Sequence, residues 1–174
     1  MNQRSSQAER VSKKNPQSRH QADEPWRDPV LGPCACSQLR RTSRAVSALY
    51  DGFLASAGLT VTQYGVLVTI ARADVVTKTA LAERLGMDRT TLTRNLQPLE
   101  RGGLVREQTG ADKREHQVAL TQKGRRKLDA AYVCWKEAQG EFVRIFGDAR
   151  LEDLNQLLRE ASDSALRAGE KLPQ

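Results

Sequence analysis

Arg89, Thr90, Thr93, Arg94 and Gln97 recur at steps of one, three and four residues, and Leu92, Leu96 and Leu99 recur between them. Wound into a helix, this order puts the polar side chains on one side and the leucines on the other. Arginine, threonine and glutamine presented this way can bond base edges and phosphates of a nucleic-acid duplex. Asp112, Lys113 and Arg114 form a second polar group inside the stretch from Thr109 to His116. Cys34 and Cys36, one residue apart, open a helical pattern in which Arg40 stands one turn beyond Cys36. A thiol at a helix start beside a cation favours its thiolate, the form that oxidants attack.

Other chemistry is poorly served. Three cysteines (the third is Cys134) with His20 and His116 make no zinc-ligand spacing, so no metal site is expected. No nucleophile-and-base pair, metal set or phosphate-cradling glycine loop stands out, so neither an enzyme nor a cofactor is expected. An odd cysteine count this small describes no disulfide framework.

The elements that would carry these side chains can be read from spacing and punctuation. Leu39, Val46, Leu49, Tyr50, Phe53 and Leu54 predict a helix from Cys36 to about Ala57, ended by Gly58. Thr62 is taken as the N-cap of a second helix reaching about Ala73, with Val66, Leu67 and Ile70 inward and Gly65 weakening it. A third helix covers Lys78 to Leu85. Gly86 supplies a left-handed C-cap, and Ala82 and Gly86 allow close helix approach. Asp88 caps the fourth helix, Arg89 to about Arg101, whose last turn Pro98 should bend. Extended runs follow at Leu104–Gln108 and Gln117–Leu120, with a polar hairpin between them. Thr121 then caps a long helix with Leu128, Ala131, Trp135, Ala138, Phe142 and Ile145 on one stripe. After Gly147, the residues Leu151, Leu154, Leu158, Ala161 and Ala165 repeat the pattern. Two such stripes predict a helical hairpin that packs on something further.

Charge agrees with a polyanionic partner. Arg84 to Lys127 holds 11 Lys/Arg against 5 Asp/Glu, whereas the segment from Asp148 on is slightly acidic. The hydrophobic fraction of the 174 residues is 39%, and almost nothing apolar precedes Trp26, so residues 1–33 read as a disordered basic arm. No apolar run is long enough to span a membrane and no secretory signal is legible, so a cytoplasmic protein is expected.

Two helices joined by a glycine turn and followed by a basic-tipped hairpin make a winged helix-turn-helix pattern. Leu59-Thr60-Val61-Thr62-Gln63-Tyr64, Ala80-Leu81-Ala82-Glu83-Arg84-Leu85 and Leu92-Thr93-Arg94 resemble successive motifs of the MarR family. So do Leu99-Glu100-Arg101-Gly102-Gly103-Leu104-Val105, Asp112-Lys113-Arg114 and Leu120-Thr121-Gln122-Lys123-Gly124, in the family's order. The resemblance covers about Cys34 to Ala168. It implies a mainly α protein with a small β-wing, a homodimer, and sequence-specific binding to palindromic double-stranded DNA. It divides the chain into the arm, a dimerisation helix (34–57), a winged helix-turn-helix region (58–121), C-terminal dimerisation helices (122–168) and a tail (169–174). Thr90, Thr93, Arg94 and Gln97 become groove-facing residues, with Arg89 nearer a phosphate. Arg114 becomes the wing-tip arginine held by Asp112, beside Lys113. A helical protein-interaction adaptor without specific DNA binding is the competing class.

Two readings of the signal stay open. The resemblance implies a small aromatic or anionic effector bound between the dimerisation helices and the winged helix. The organic-hydroperoxide-sensing branch of the family offers the other, since Cys36 precedes Ser43-Arg44-Ala45 at that branch's offset. Tyr50 matches one of the branch's two thiolate-holding tyrosines, but Arg40 replaces the other. Cys134 would be the resolving thiol.

Overall fold

The computed structural model describes residues 34–109 and 116–169. The chain divides after Thr42 into two units, and everything from Ser43 onward belongs to the second. Helix α1 covers Ala35–Leu54 and ends in a 3-10 turn, Ala55–Ala57, which Gly58 closes at φ 60°. Helix α2 covers Val61–Ala73. Its N-cap is Thr60, not Thr62. The Thr60 hydroxyl accepts from the Gln63 amide, and the Gln63 side chain accepts from the Thr60 amide in return. This capping box satisfies two backbone donors at once, an advantage Thr62 inside the first turn cannot match.

A short strand that the sequence reading missed, β1 (Val75–Thr77), leads into α3 (Lys78–Leu85). Gly86 adopts φ 60° as expected, and Asp88 caps α4 (Arg89–Arg101) by accepting from Thr91. Gly86 serves that left-handed turn alone, because a Cβ there would meet nothing within 4 Å. Helix α4 runs through Pro98 to Arg101, its expected limit, and the Gly102 amide donates to the Pro98 carbonyl at 3.0 Å. So near the C-terminus the ring removes a single amide, and the last turn closes without it.

Strands β2 (Val105–Thr109) and β3 (His116–Leu120) pair antiparallel, Val105 opposite Leu120 and Thr109 opposite His116. They lie one residue from the expected limits. The missed β1 pairs with β3, Val76 opposite Val118, giving the sheet order β1-β3-β2. Helix α5 covers Gln122–Phe146 behind the expected Thr121 cap, and α6 covers Asp148–Gly169.

The core gathers on α2. Leu67 and Ile70 are fully buried, and Leu54, Leu81, Leu92, Leu96, Leu99 and Val118 close around them. Burying such a side chain contributes about 1.5–3 kcal/mol, so these residues fix how α3 and α4 meet. Helix α6 buries none of its residues within the chain, and Val133, Ile145, Leu157, Leu158 and Leu166 remain exposed.

Candidate nucleic-acid interface and effector cavity

Arg89, Thr90, Thr93, Arg94 and Gln97 are all exposed along α4, while Leu92, Leu96 and Leu99 are sealed beneath them. The Thr93 hydroxyl donates to the Arg89 carbonyl at 2.8 Å, and the Thr91 hydroxyl donates to Asp88 at 2.6 Å. These bonds with Thr91, side chain first and then backbone, hold the Asp88 carboxyl below the ordinary carboxylate range. The helix therefore starts from a firmly ionised cap. Asp112, Lys113 and Arg114 lie outside the described residues.

Where β2 and β3 leave the core, a charged cluster joins them to the helices. Lys78 Nζ stands 2.7 Å from Glu107 Oε2 and 3.9 Å from Glu100 Oε1, and His116 Nδ1 lies 2.6 Å from Glu107 Oε1. The Lys78 ammonium chiefly holds the Glu107 carboxyl low; burial pushes it back up next, and His116 adds a smaller downward pull. None of these residues was singled out from the sequence. Lys78 and Glu107 are 29 positions apart, too far for a local pattern. Arg125 is exposed and pairs with the exposed Asp74 at 2.9 Å.

Between α2 and α5 lies a cavity of about 640 Å³. Trp135 stacks on Tyr64 (centroids 6.0 Å apart, planes 17° apart) and on Tyr132 (6.0 Å, 21°), and Arg72 stands at the cavity with its charge. Burial pushes the Tyr64 phenol up, keeping it a neutral donor. Gly65 lines the same space, and a Cβ there would meet nothing within 4 Å. The glycine that weakens α2 is the one that keeps this wall open.

The candidate thiols fall in different surroundings. Cys34 and Cys36 are exposed. Cys34 caps α1, its carbonyl accepting from Gln38, and hydrogen bonds from the Ser37 backbone and hydroxyl lower its thiol from the ordinary value. Cys34 thus carries a sign of activation. Arg40 is exposed one turn beyond Cys36 on the same helix. In the second unit, the Tyr50 hydroxyl donates to Gln139 at 2.6 Å, and Cys134 is half-buried with its sulfur 3.4 Å from the Ser56 hydroxyl.

A helix-turn-helix with its second helix bare to solvent, followed by a β-hairpin, defines a winged helix-turn-helix protein. Comparison with known proteins agrees. The MarR family model matches residues 57–115. The HTH-type transcriptional regulator YwoH of Bacillus subtilis is 27% identical over 122 residues, which cover 70% of this chain and 89% of YwoH. The transcriptional regulator HosA of Escherichia coli is 35% identical over 103 residues, covering 59% of this chain and 76% of HosA. Among solved structures, the Mycobacterium tuberculosis regulator MosR in complex with DNA superposes with TM-score 0.67 at 40% identity. That match covers 76% of this chain and 98% of MosR. The chain belongs to the MarR family of transcriptional regulators and is a DNA-binding regulator.

Proposed function

We propose that two copies of this chain form a cytoplasmic homodimer that sets one winged helix into each half of a palindromic operator and represses transcription until a signal releases it. The observation carrying this reading is the polar face of α4, five exposed groove-competent side chains over a fully buried leucine stripe. Arg94, Gln97, Thr90 and Thr93 read base edges, Arg89 takes a phosphate, and Arg114 with Asp112 and Lys113 reaches from the wing. The exposed leucines of α6 and the bare Val133 and Ile145 of α5 supply the surface that a second copy covers. MosR, crystallised with DNA, supports the partner class.

Sedimentation tests the assembly. At micromolar concentration the chain should run as a dimer with no folded monomer, and one dimer should load each selected duplex. Half-sites should be centred about one helical turn apart, at roughly 34–36 Å. A folded monomer would sink this reading, and binding independent of duplex sequence would favour the adaptor.

For the signal, the cavity between α2 and α5 favours a small aromatic anion, with stacked rings for its plane and Arg72 for its charge. The lowered thiol at the start of α1 favours oxidation as the second reading. A single experiment separates them. Gly65→Leu, which fills the cavity, should abolish release of DNA by a benzoate-type acid and leave release by an organic hydroperoxide unchanged. Cys36→Ser should do the reverse if Cys36 is the sensor. Cys34→Ser reports on the neighbouring thiol and Cys134→Ser on the resolving one. Hydroperoxide release that survives all three substitutions removes the thiol reading.

A further inference from the structure

Arg89 and Thr93, from the exposed half of α4, share a cleft of about 460 Å³ with Lys78, Glu107 and His116 at the base of the wing. Among the described residues, the charged groups facing His116 are Lys78 from α3, Arg89 from α4 and Glu107 from β2. Glu100 of α4 stands behind Lys78. Among the described residues the lining carries the two cations Lys78 and Arg89 against the one carboxylate of Glu107, and a proton on His116 adds to that positive charge. Glu100, outside the lining, is poorly served: among the described residues its solvent-shielded Oε1 has no hydrogen-bond partner, and the cation beside it at 3.9 Å, Lys78, is 2.7 Å from Glu107. A single ammonium thus serves two acids, and Glu107 keeps an oxygen turned to the imidazole at 2.6 Å.

We propose that His116 is a conditional phosphate-binding residue, and that DNA binding takes up a proton at His116 in each winged helix. The proposal rests on the reading of α4 and the wing as the DNA-binding surface. A duplex docked on α4 brings its phosphates to this cleft, where they add negative charge beside an imidazole already held by Glu107. Two negative neighbours favour the imidazolium, and the imidazolium adds a further positive charge that a phosphate can pair with. Imidazole is the side chain whose ordinary range lies within the physiological interval of pH 5 to 8.

The sign of the linkage follows. His116 binds its proton more tightly in the complex than in free protein. The added affinity is therefore complete at acid pH, below the free protein's titration, and is lost as pH rises through that of the complex. With two sites per dimer, affinity should fall about tenfold between pH 6.0 and pH 7.5 at constant ionic strength.

The test uses the full chain and a 30-base-pair duplex that the wild-type protein selects from a random pool. Titration calorimetry at pH 6.5 in buffers of different ionisation enthalpy should show proton uptake by wild type on binding. His116→Gln, at an exposed position and still able to donate to Glu107, should lose the pH slope and the proton uptake, its affinity no longer rising as pH falls from 7.5 to 6.0. His20→Gln, which removes the chain's other histidine, should keep both. Wild-type affinity that is flat with pH, or a slope that persists in His116→Gln, would overturn the proposal while leaving the DNA reading intact. Failure of wild type to bind any duplex at any pH would overturn both.

Discussion

Gly124→Ala should destabilise the protein by about 3 kcal/mol or more, the upper end of the range for overpacking, because the site cannot give way. A Cβ at this position would lie 1.9 Å from the Leu104 carbonyl oxygen and 2.9 Å from its carbon, and backbone cannot swing aside as a side-chain tip can. The same carbonyl accepts from the Thr121 amide at 3.0 Å, while the Thr121 hydroxyl caps α5 and donates to Gly103 at 2.7 Å. Start of helix, end of wing and missing side chain form one joint, which moving Leu104 would open. Chemical denaturation should show a lowered midpoint, or no folded protein at all. Gly65→Ala supplies the contrast, because its new methyl enters open space and replaces a helix-interior glycine. It should stabilise by about 0.5–1 kcal/mol. If both substitutions shifted the midpoint alike, the close approach of α5 to Leu104 would be wrong.

Arg94→Ala carries the largest expected effect on DNA. On the proposed reading it removes a bidentate base contact, so affinity for the selected duplex should drop by about 1–3 kcal/mol and preference should relax at one position per half-site. Arg94 is exposed, so the fold should survive. Arg114→Ala should behave differently. It should weaken binding to all duplexes alike and shallow the salt dependence by about one unit per half-site contact. A screen of variant half-sites at two salt concentrations distinguishes the two. Unchanged affinity in both variants would remove both the helix and the wing assignments.

How much of this was legible beforehand depends on how far apart the partners stand. The limits of α3 and α4 follow from Gly86 and Asp88, which act within a few residues of themselves, and both were readable. Thr60 was readable too and was overlooked: Gln63 three positions later completes a capping box, whereas Thr62 has no such partner. Strand β1 was not legible, because three residues carry no periodicity and its partners, Gln117 to Ala119, lie some forty positions on. The polar stripe of α4 needs only one helix to exist. By contrast, the Lys78–Glu107–His116 cluster and the aromatic cavity need the completed fold, since each draws residues from distant elements. Leu128 and Trp135 were placed correctly on an apolar stripe, yet nothing in a stripe says that part of it borders a void.

The corner between α1 and α2 is fastened more than once. Beyond the Thr60–Gln63 box, Asp51 of α1 accepts the Val61 amide at 2.6 Å, and the Leu59 amide bonds back to Leu54 at 3.4 Å. Mechanically this is a crank and not a hinge. Torque applied to the second half of α1 is delivered to α2 with little lost in the elbow. Helix α2 bears on α3, α4, α5 and β3 together, so it acts as the axle on which both α4 and the sheet are mounted. Cutting the Asp51 strut would loosen the crank, while the Thr60–Gln63 box and the Leu59–Leu54 bond still hold its two halves.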